Sequence, residues 1–342
     1  MPTWDSMRKW AEAAFEAMDP DDIREKAIDH KPPFGAAPVI GWICMILCML
    51  GFAGNDDITD YYRIYYQRRN QLVKNTRKHS LCEKRPYIAV ALAMIVPAFI
   101  VGVGGILGGK VSGDAGNMGM CIFAIITMLV FRLWFLPDFK GFVKPGCSAK
   151  DICIVMIPWG ILLVFTLIEP VFLQRPFYFN PSLSAVIMGL AAGFGEETMF
   201  RILSLAIVMR YVKKEKRFAV MIILAVIFGL AHAGNVTQGA DTFMTATQVV
   251  HSIFIAFLFT GLYLGTGSVV FPIFAHGLHD FICFTTDPSL SGEGIITQQY
   301  GTGQLLYELV LAVIIGIASL CLLNKNKLAK ADELWNKKWS NT

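Results

Sequence analysis

From residue 36 onward the chain runs in long apolar blocks separated by short polar stretches. Nine of these blocks approach the roughly 20 helical residues needed to cross the hydrocarbon core of a bilayer. They cover 36–54, 87–107, 118–137, 151–174, 182–208, 218–234, 244–266, 268–285 and 304–324. The pattern predicts an all-α fold, a polytopic membrane bundle of about nine transmembrane helices, with kinks or ends at Pro158, Pro170 and Pro272. Ahead of the first block, Trp4, Met7, Ala11, Ala14, Phe15 and Met18 recur at helical spacing opposite Asp5, Arg8, Lys9, Glu12 and Glu16, which predicts an amphipathic surface helix. The chain therefore divides into a polar segment 1–35, amino-terminal membrane helices 36–174, a polar-lined core 175–290, and a last helix with a basic tail, 291–342.

Composition agrees with the pattern. Of the residues 55% are hydrophobic and 16% charged, and the mean hydropathy of +0.52 is too high for an ordinary soluble domain. The net charge of +4 carries no indication of nucleic acid as a partner; the bilayer is the partner the composition implies. Eight cysteines are scattered through or beside the apolar runs with no CxxC pair, as small buried residues would be. The acidic first 35 residues lack the apolar stretch of a cleaved signal.

Charge distribution sets an orientation. Segments 55–86, 138–150, 209–217 and 325–342 together hold 21 lysines and arginines, whereas the intervening loops hold Lys110 and Arg175. Because basic residues collect in cytoplasmic loops, the expected protein sits in the cell membrane as a multi-pass chain, its carboxyl terminus cytoplasmic and its amino terminus extracytoplasmic. Arg24, Lys26 and Lys31 run against this rule. Among the basic residues of 55–86 stand Tyr61, Tyr62, Tyr65 and Tyr66, the composition of an interfacial helix.

Against this apolar background the fifth block is anomalous, since it contains Glu196, Glu197 and Arg201. A charge at the centre of a membrane helix costs about 2.5 to 3.5 kcal/mol on insertion scales, so these residues need partners or a wet cavity. Glu197 and Arg201 are four apart and pair on an α-helix, which leaves Glu196 turned about 100° away. Ala185, Gly189 and Gly193 form a small-residue stripe suited to close helix packing. The sixth block brings His232, and the eighth brings His276 and Asp280 on one face at i, i+4. Glu196 and His232 lie at similar depth, each ~21 to 23 Å from the basic hairpin 210–217 at 1.5 Å per residue. His279 and His251 read as packing or interfacial residues.

Taken in order, Glu196-Glu197-x-x-x-Arg201, Phe228-x-x-x-His232 and His276-x-x-x-Asp280 resemble the three motifs of the CAAX protease and bacteriocin-processing (CPBP, or Abi) family, over roughly residues 180 to 285. Phe200 and Asn235 also fit the family pattern, while Ile202 replaces a frequent glycine. The resemblance implies an intramembrane endopeptidase acting on a peptide or protein substrate that reaches the site from the membrane. Its general base would be Glu196, acting on a water also held by His232. Glu197 and Arg201 would fix the site, and His276 with Asp280 would complete it. Where many members carry asparagine as an oxyanion donor, Asp280 would orient His276 or stay protonated.

Other chemistries remain open at this level. No cofactor is expected; two histidines and a glutamate are nonetheless zinc-type ligands, and a metal variant would use Glu196, His232 and His276. An ion-coupled transporter would also place acids and histidines inside a bundle. A peptide-binding or bacteriocin-immunity scaffold would use the same cavity without cleavage.

Overall fold

The computed structural model describes residues 81–132, 139–286 and 301–339. The chain divides into two units, Met1–Thr76 and Arg77–Thr342, and every described residue lies in the second. The expected amphipathic helix, the first apolar block and most of the tyrosine-bearing basic segment fall outside the described residues.

Beyond a single turn at Leu81–Lys84, ten α-helices organise the described residues. In order they are α1 (Pro86–Gly109), α2 (Gly113–Val130), α3 (Ala149–Phe172), α4 (Leu183–Ala191), α5 (Leu203–Tyr211), α6 (Lys214–Ala231), α7 (Thr242–Thr266), α8 (Val270–Thr286), α9 (Thr302–Leu320) and α10 (Lys325–Asn336). Their starts are written in the sequence. Ser112, Ser148, Ser182, Asp241 and Asn324 each accept a hydrogen bond from a backbone N–H three residues on, satisfying a donor the helix cannot pair internally. Gly267, with φ of 64°, closes α7 in the left-handed region that favours glycine.

Six helices among the described residues are long and apolar enough to cross a membrane: Pro86–Gly109, Gly113–Val130, Ala149–Phe172, Lys214–Thr237, Thr242–Thr266 and Thr302–Leu323. This makes the protein an all-helical, multi-pass membrane protein. Of the nine expected spans the first, 36–54, lies outside the described residues, and two others, 182–208 and 268–285, are not among the six for local reasons. The block 182–208 is helical throughout, yet it is interrupted by two π-helical stretches, Ala192–Glu196 and Thr198–Ile202, and carries the charges. The block 268–285 forms α8, whose 17 residues span about 25 Å. These two short or interrupted helices carry most of the polar residues singled out above.

Glycines set how closely the helices approach. A Cβ on Gly189 would come 2.5 Å from Gly277 O, and one on Gly193 would come 2.5 Å from Ile273 O, so α4 and its π-helical extension touch α8 backbone to backbone. A second close crossing joins α1 to α2, where a Cβ on Gly119 would meet Gly104 O at 2.2 Å. The helices α1 to α3 also have a positional role: α1 packs on α5 and on the second π-helical stretch, α2 packs on α4, and α3 packs on α7, α8 and α9. Outward faces carry Ile95, Phe99, Ile106 and Val171, as lipid-facing surfaces require.

At one end of the bundle, α10 lies against the hairpin between α5 and α6. Arg217 and Lys214 pair with Asp332, buried Trp335 donates its indole N–H to Leu264 O, and Lys338 Nζ donates to Gly141 O and Lys144 O at 3.3 and 2.8 Å. The three basic segments 139–150, 209–217 and 325–339 therefore meet on the same end, as the charge pattern requires.

Candidate active site

The π-helical pair centres on Glu197. In a π turn the i→i+5 bond replaces i→i+4, an arrangement found mostly as single turns at functional positions. Here it surrounds two side chains that the bundle buries, Glu197 at 0% exposure and Arg201 at 3%. Their expected pairing is present: Arg201 Nη1 donates to Glu197 Oε1. The guanidinium lies over the Phe228 ring, 4.0 Å from its centroid, and 5.3 Å from that of Phe259, so aromatic faces supply the remaining negative potential.

Glu197 has a second partner that spacing alone did not indicate. Its Oε1 also accepts from His276 Nδ1 at 2.7 Å, across the α4–α8 crossing that Gly189, Gly193 and Gly277 make close. A carboxylate can only accept, so the proton sits on Nδ1 and Nε2 faces the other way. The ring is held in that plane by stacking on Phe259, centroids 4.6 Å apart and planes at 18°, with the Phe228 edge at 6.2 Å.

At Nε2 two further carboxylates approach. Glu196 Oε2 lies 3.8 Å away and Asp280 Oδ2 lies 3.7 Å away, both beyond ordinary hydrogen-bond distance. Glu196 is 28% exposed and Asp280 26%, against 7% for His276. The site is thus graded from a dry Glu197–Arg201 pair, through a buried imidazole, to two half-open carboxylates. Glu197 holds the far nitrogen of His276, while Asp280 stands with Glu196 on the side of Nε2.

His232 lies at the junction of α6 with a following 3₁₀ turn, Nδ1 bonded to Phe228 O at 3.1 Å. Among the described residues it makes no hydrogen bond to Glu196; the Phe228 ring meets both imidazoles edge to face, its centroid 5.1 Å from that of His232 and 6.2 Å from that of His276. Asn235 donates to Gln248 Oε1 at 2.9 Å and so ties that turn to α7. Ile202, in place of the frequent glycine, is fully buried, and its carbonyl accepts from Tyr263 Oη at 3.1 Å.

His279, read as packing, contacts the site: its Nδ1 lies 3.3 Å from Asp280 Oδ1. The sequence signal was adjacency to Asp280. For Phe259, one aromatic among several in α7, there was no signal. Among the described residues, no group of three His, Cys, Asp or Glu side chains is placed to hold a metal ion.

A buried Glu–Arg–His cluster opening onto two carboxylates inside a helical bundle defines a multi-pass membrane protein with an intramembrane acid–imidazole site. Residues 178–282 match the family described as type II CAAX prenyl endopeptidase, Rce1-like, so the segment that carries the three motifs is similar to that family. The match spans less than a third of the chain and contains every residue of the site. It supports an intramembrane protease of the CAAX type in general. No curated protein matches the chain.

Proposed function

We propose that the protein is an intramembrane endopeptidase that hydrolyses a peptide bond near the carboxyl terminus of a membrane-delivered substrate, with Glu196 as general base. The observation that carries this reading is the pinned His276 ring: Nδ1 tied to buried Glu197, Nε2 presented between Glu196 and Asp280. Glu197 acts toward His276 as a buried aspartate acts toward the histidine of a serine protease, fixing tautomer and plane and stabilising the protonated ring. Glu196 takes a proton from the attacking water. In the protonated ring, His276 Nε2–H donates to the developing oxyanion and then gives its proton to the leaving amine, and Glu196 returns the water's proton to Nε2. The phenyl rings of Phe228 and Phe259 and the surrounding bundle exclude bulk water, which strengthens each of these interactions.

His232, whose ring meets the same Phe228 ring as His276, would help hold the attacking water. The substrate class is a peptide or protein with a CAAX-type end, prenylated or anchored by its own apolar segment. Zinc, if the protein used it, would have to recruit His232 toward Glu196 and His276, so activity unchanged by a chelator supports the metal-free reading. The basic end carrying α10 would be the cytoplasmic one.

The test uses purified full-length protein in lipid nanodiscs and two fluorogenic peptides with a CAAX end, one farnesylated and one not. Cleavage detected by mass spectrometry in wild type, and a loss on the order of 100-fold or more in Glu196→Gln, support the reading. A Glu196→Gln protein that cleaves at the wild-type rate ends it, and a protein that protects cells from a peptide toxin without cleavage would be a binding scaffold instead.

A further inference from the structure

We propose that His279 is a positioning residue of the hydrolytic site, one that fixes the Asp280 carboxylate beside His276 Nε2. The inference rests on the protease reading above and deepens it. Side chains of adjacent helical residues point about 100° apart and do not ordinarily meet. On α8, however, His279 Nδ1 reaches Asp280 Oδ1 at 3.3 Å. The other oxygen, Oδ2, is the one 3.7 Å from His276 Nε2. Asp280 therefore divides its two oxygens between two imidazoles, and both of them belong to its own helix.

The proton assignment follows from the acceptor. An ionised carboxylate offers no hydrogen, so the His279 proton is on Nδ1. The opposite nitrogen, Nε2, faces Cys283 Sγ at 3.9 Å, one turn further along α8. A buried histidine with no further role would usually spend its N–H on a main-chain carbonyl. His279, 8% exposed, instead has both ring nitrogens engaged by side chains, and the ring is held at both ends. His232 and His251, from outside α8, also lie in the electrostatic surroundings of Asp280. Among the described residues only His279 hydrogen-bonds to Asp280.

The function of that bond is geometric. Asp280 is 26% exposed, enough for its carboxylate to turn toward water if nothing holds Oδ1. Held, its Oδ2 stays within 3.7 Å of His276 Nε2, the nitrogen that Glu196 Oε2 also approaches at 3.8 Å. His279 touches no reacting atom in this arrangement; it acts through Asp280.

Two polar replacements separate the positioning role from a packing role. Asparagine carries its amide N–H₂ on Cγ, where histidine carries Nδ1, and so retains the donor to Oδ1. Glutamine extends one bond further, toward the Cys283 side, and loses it. The assay is the farnesylated CAAX peptide with full-length protein in nanodiscs, comparing wild type, His279→Asn, His279→Gln, His279→Leu and Glu196→Gln, with thermal stability measured for each. Expected are kcat within about threefold of wild type for His279→Asn, and kcat lower by roughly 10- to 100-fold with KM unchanged for His279→Gln and His279→Leu. Should the leucine variant fail to fold, the asparagine–glutamine contrast decides alone. Equal kcat in His279→Asn and His279→Gln overturns the proposal, as does a loss that appears in KM alone. If wild type cleaves and Glu196→Gln does not while His279→Gln is fully active, only this inference falls. If wild type does not cleave, or Glu196→Gln cleaves normally, the protease reading falls and takes this one with it.

Discussion

Glu197 and His276 are 79 positions apart in the chain and 2.7 Å apart in the fold, joined by a bond from Nδ1 to Oε1 that also closes the crossing between the π-helical segment and α8. The same oxygen accepts from Arg201, so one buried atom ties together two helices and the only arginine of the site. Stability and the proposed catalysis meet at this oxygen, and they can be separated by experiment.

Replacing Glu197 by alanine should leave Arg201 buried with no carboxylate partner, a change that costs about 3 to 5 kcal/mol when an ion pair is broken from one side. Glu197→Gln keeps the shape and an acceptor oxygen while losing the charge. Thermal unfolding in detergent should therefore place Glu197→Ala far below Glu197→Gln. Peptide cleavage should be strongly reduced in both. Equal melting temperatures for Glu197→Ala and wild type would contradict the buried pair.

The close approach of α4 and α8 can be probed by single methyl groups. Gly193→Ala would drive its Cβ to 2.5 Å from Ile273 O, a backbone atom that cannot swing aside, so the two helices must separate. Gly160→Ala, with nothing within 4 Å of its Cβ, serves as the control. The expected result is loss of most of the activity and a lower melting temperature for Gly193→Ala, with both properties unchanged for Gly160→Ala.

A pH effect should arise at the docked tail, away from the membrane interior. Burial pulls the Lys338 ammonium down from its usual 10.5 to about 8. Between those two values the unfolded chain binds the proton that the folded chain has released, so Lys338 makes stability rise as pH increases from about 8 toward 10.5. Below pH 8 its contribution is flat and unfavourable. Measured as the difference between wild type and Lys338→Met, the pH slope should appear in that window alone; a slope that survives the substitution belongs to another group.

Topology is open to a labelling test. Because Arg217 pairs with Asp332, the 209–217 hairpin and the carboxyl-terminal helix occupy one end of the bundle. Single cysteines at Lys216 and Lys337, in a background without native cysteines, should both be protected from an impermeant maleimide in intact cells. A cysteine at Lys110 should be labelled. Opposite behaviour of the two basic sites would contradict the fold itself; labelling of both would invert only the orientation.

Much of this was legible in residue order. Periodicity of 3.6 and serine or aspartate caps mark helix positions, and the i, i+4 spacings of Glu197 with Arg201 and of His276 with Asp280 mark real contacts. Spacing could not reveal which carboxylate holds His276 Nδ1, because that contact depends on the distance between two helices, set by Gly189, Gly193 and Gly277 together. It also could not reveal the π turns. They leave composition unchanged and redistribute hydrogen bonds, so the block 182–208 looks like one plain span. The depth estimate that matched Glu196 with His232 assumed uniform α-geometry, which the two π turns do not keep.

The paired π turns have a further meaning for phase. Each winds one residue more into a turn than an α-helix does, and one residue is about 100° of rotation about the helix axis. The stripe of α4 that meets α8 and the buried face of α5 that meets α1 are therefore set independently, like two gears joined by a slipped tooth. An insertion or deletion between Gly193 and Leu203 would re-aim the acidic pair while leaving each flanking helix free to keep its own neighbours. The charged segment is in this sense a separately adjustable part, mounted between two fixed ones.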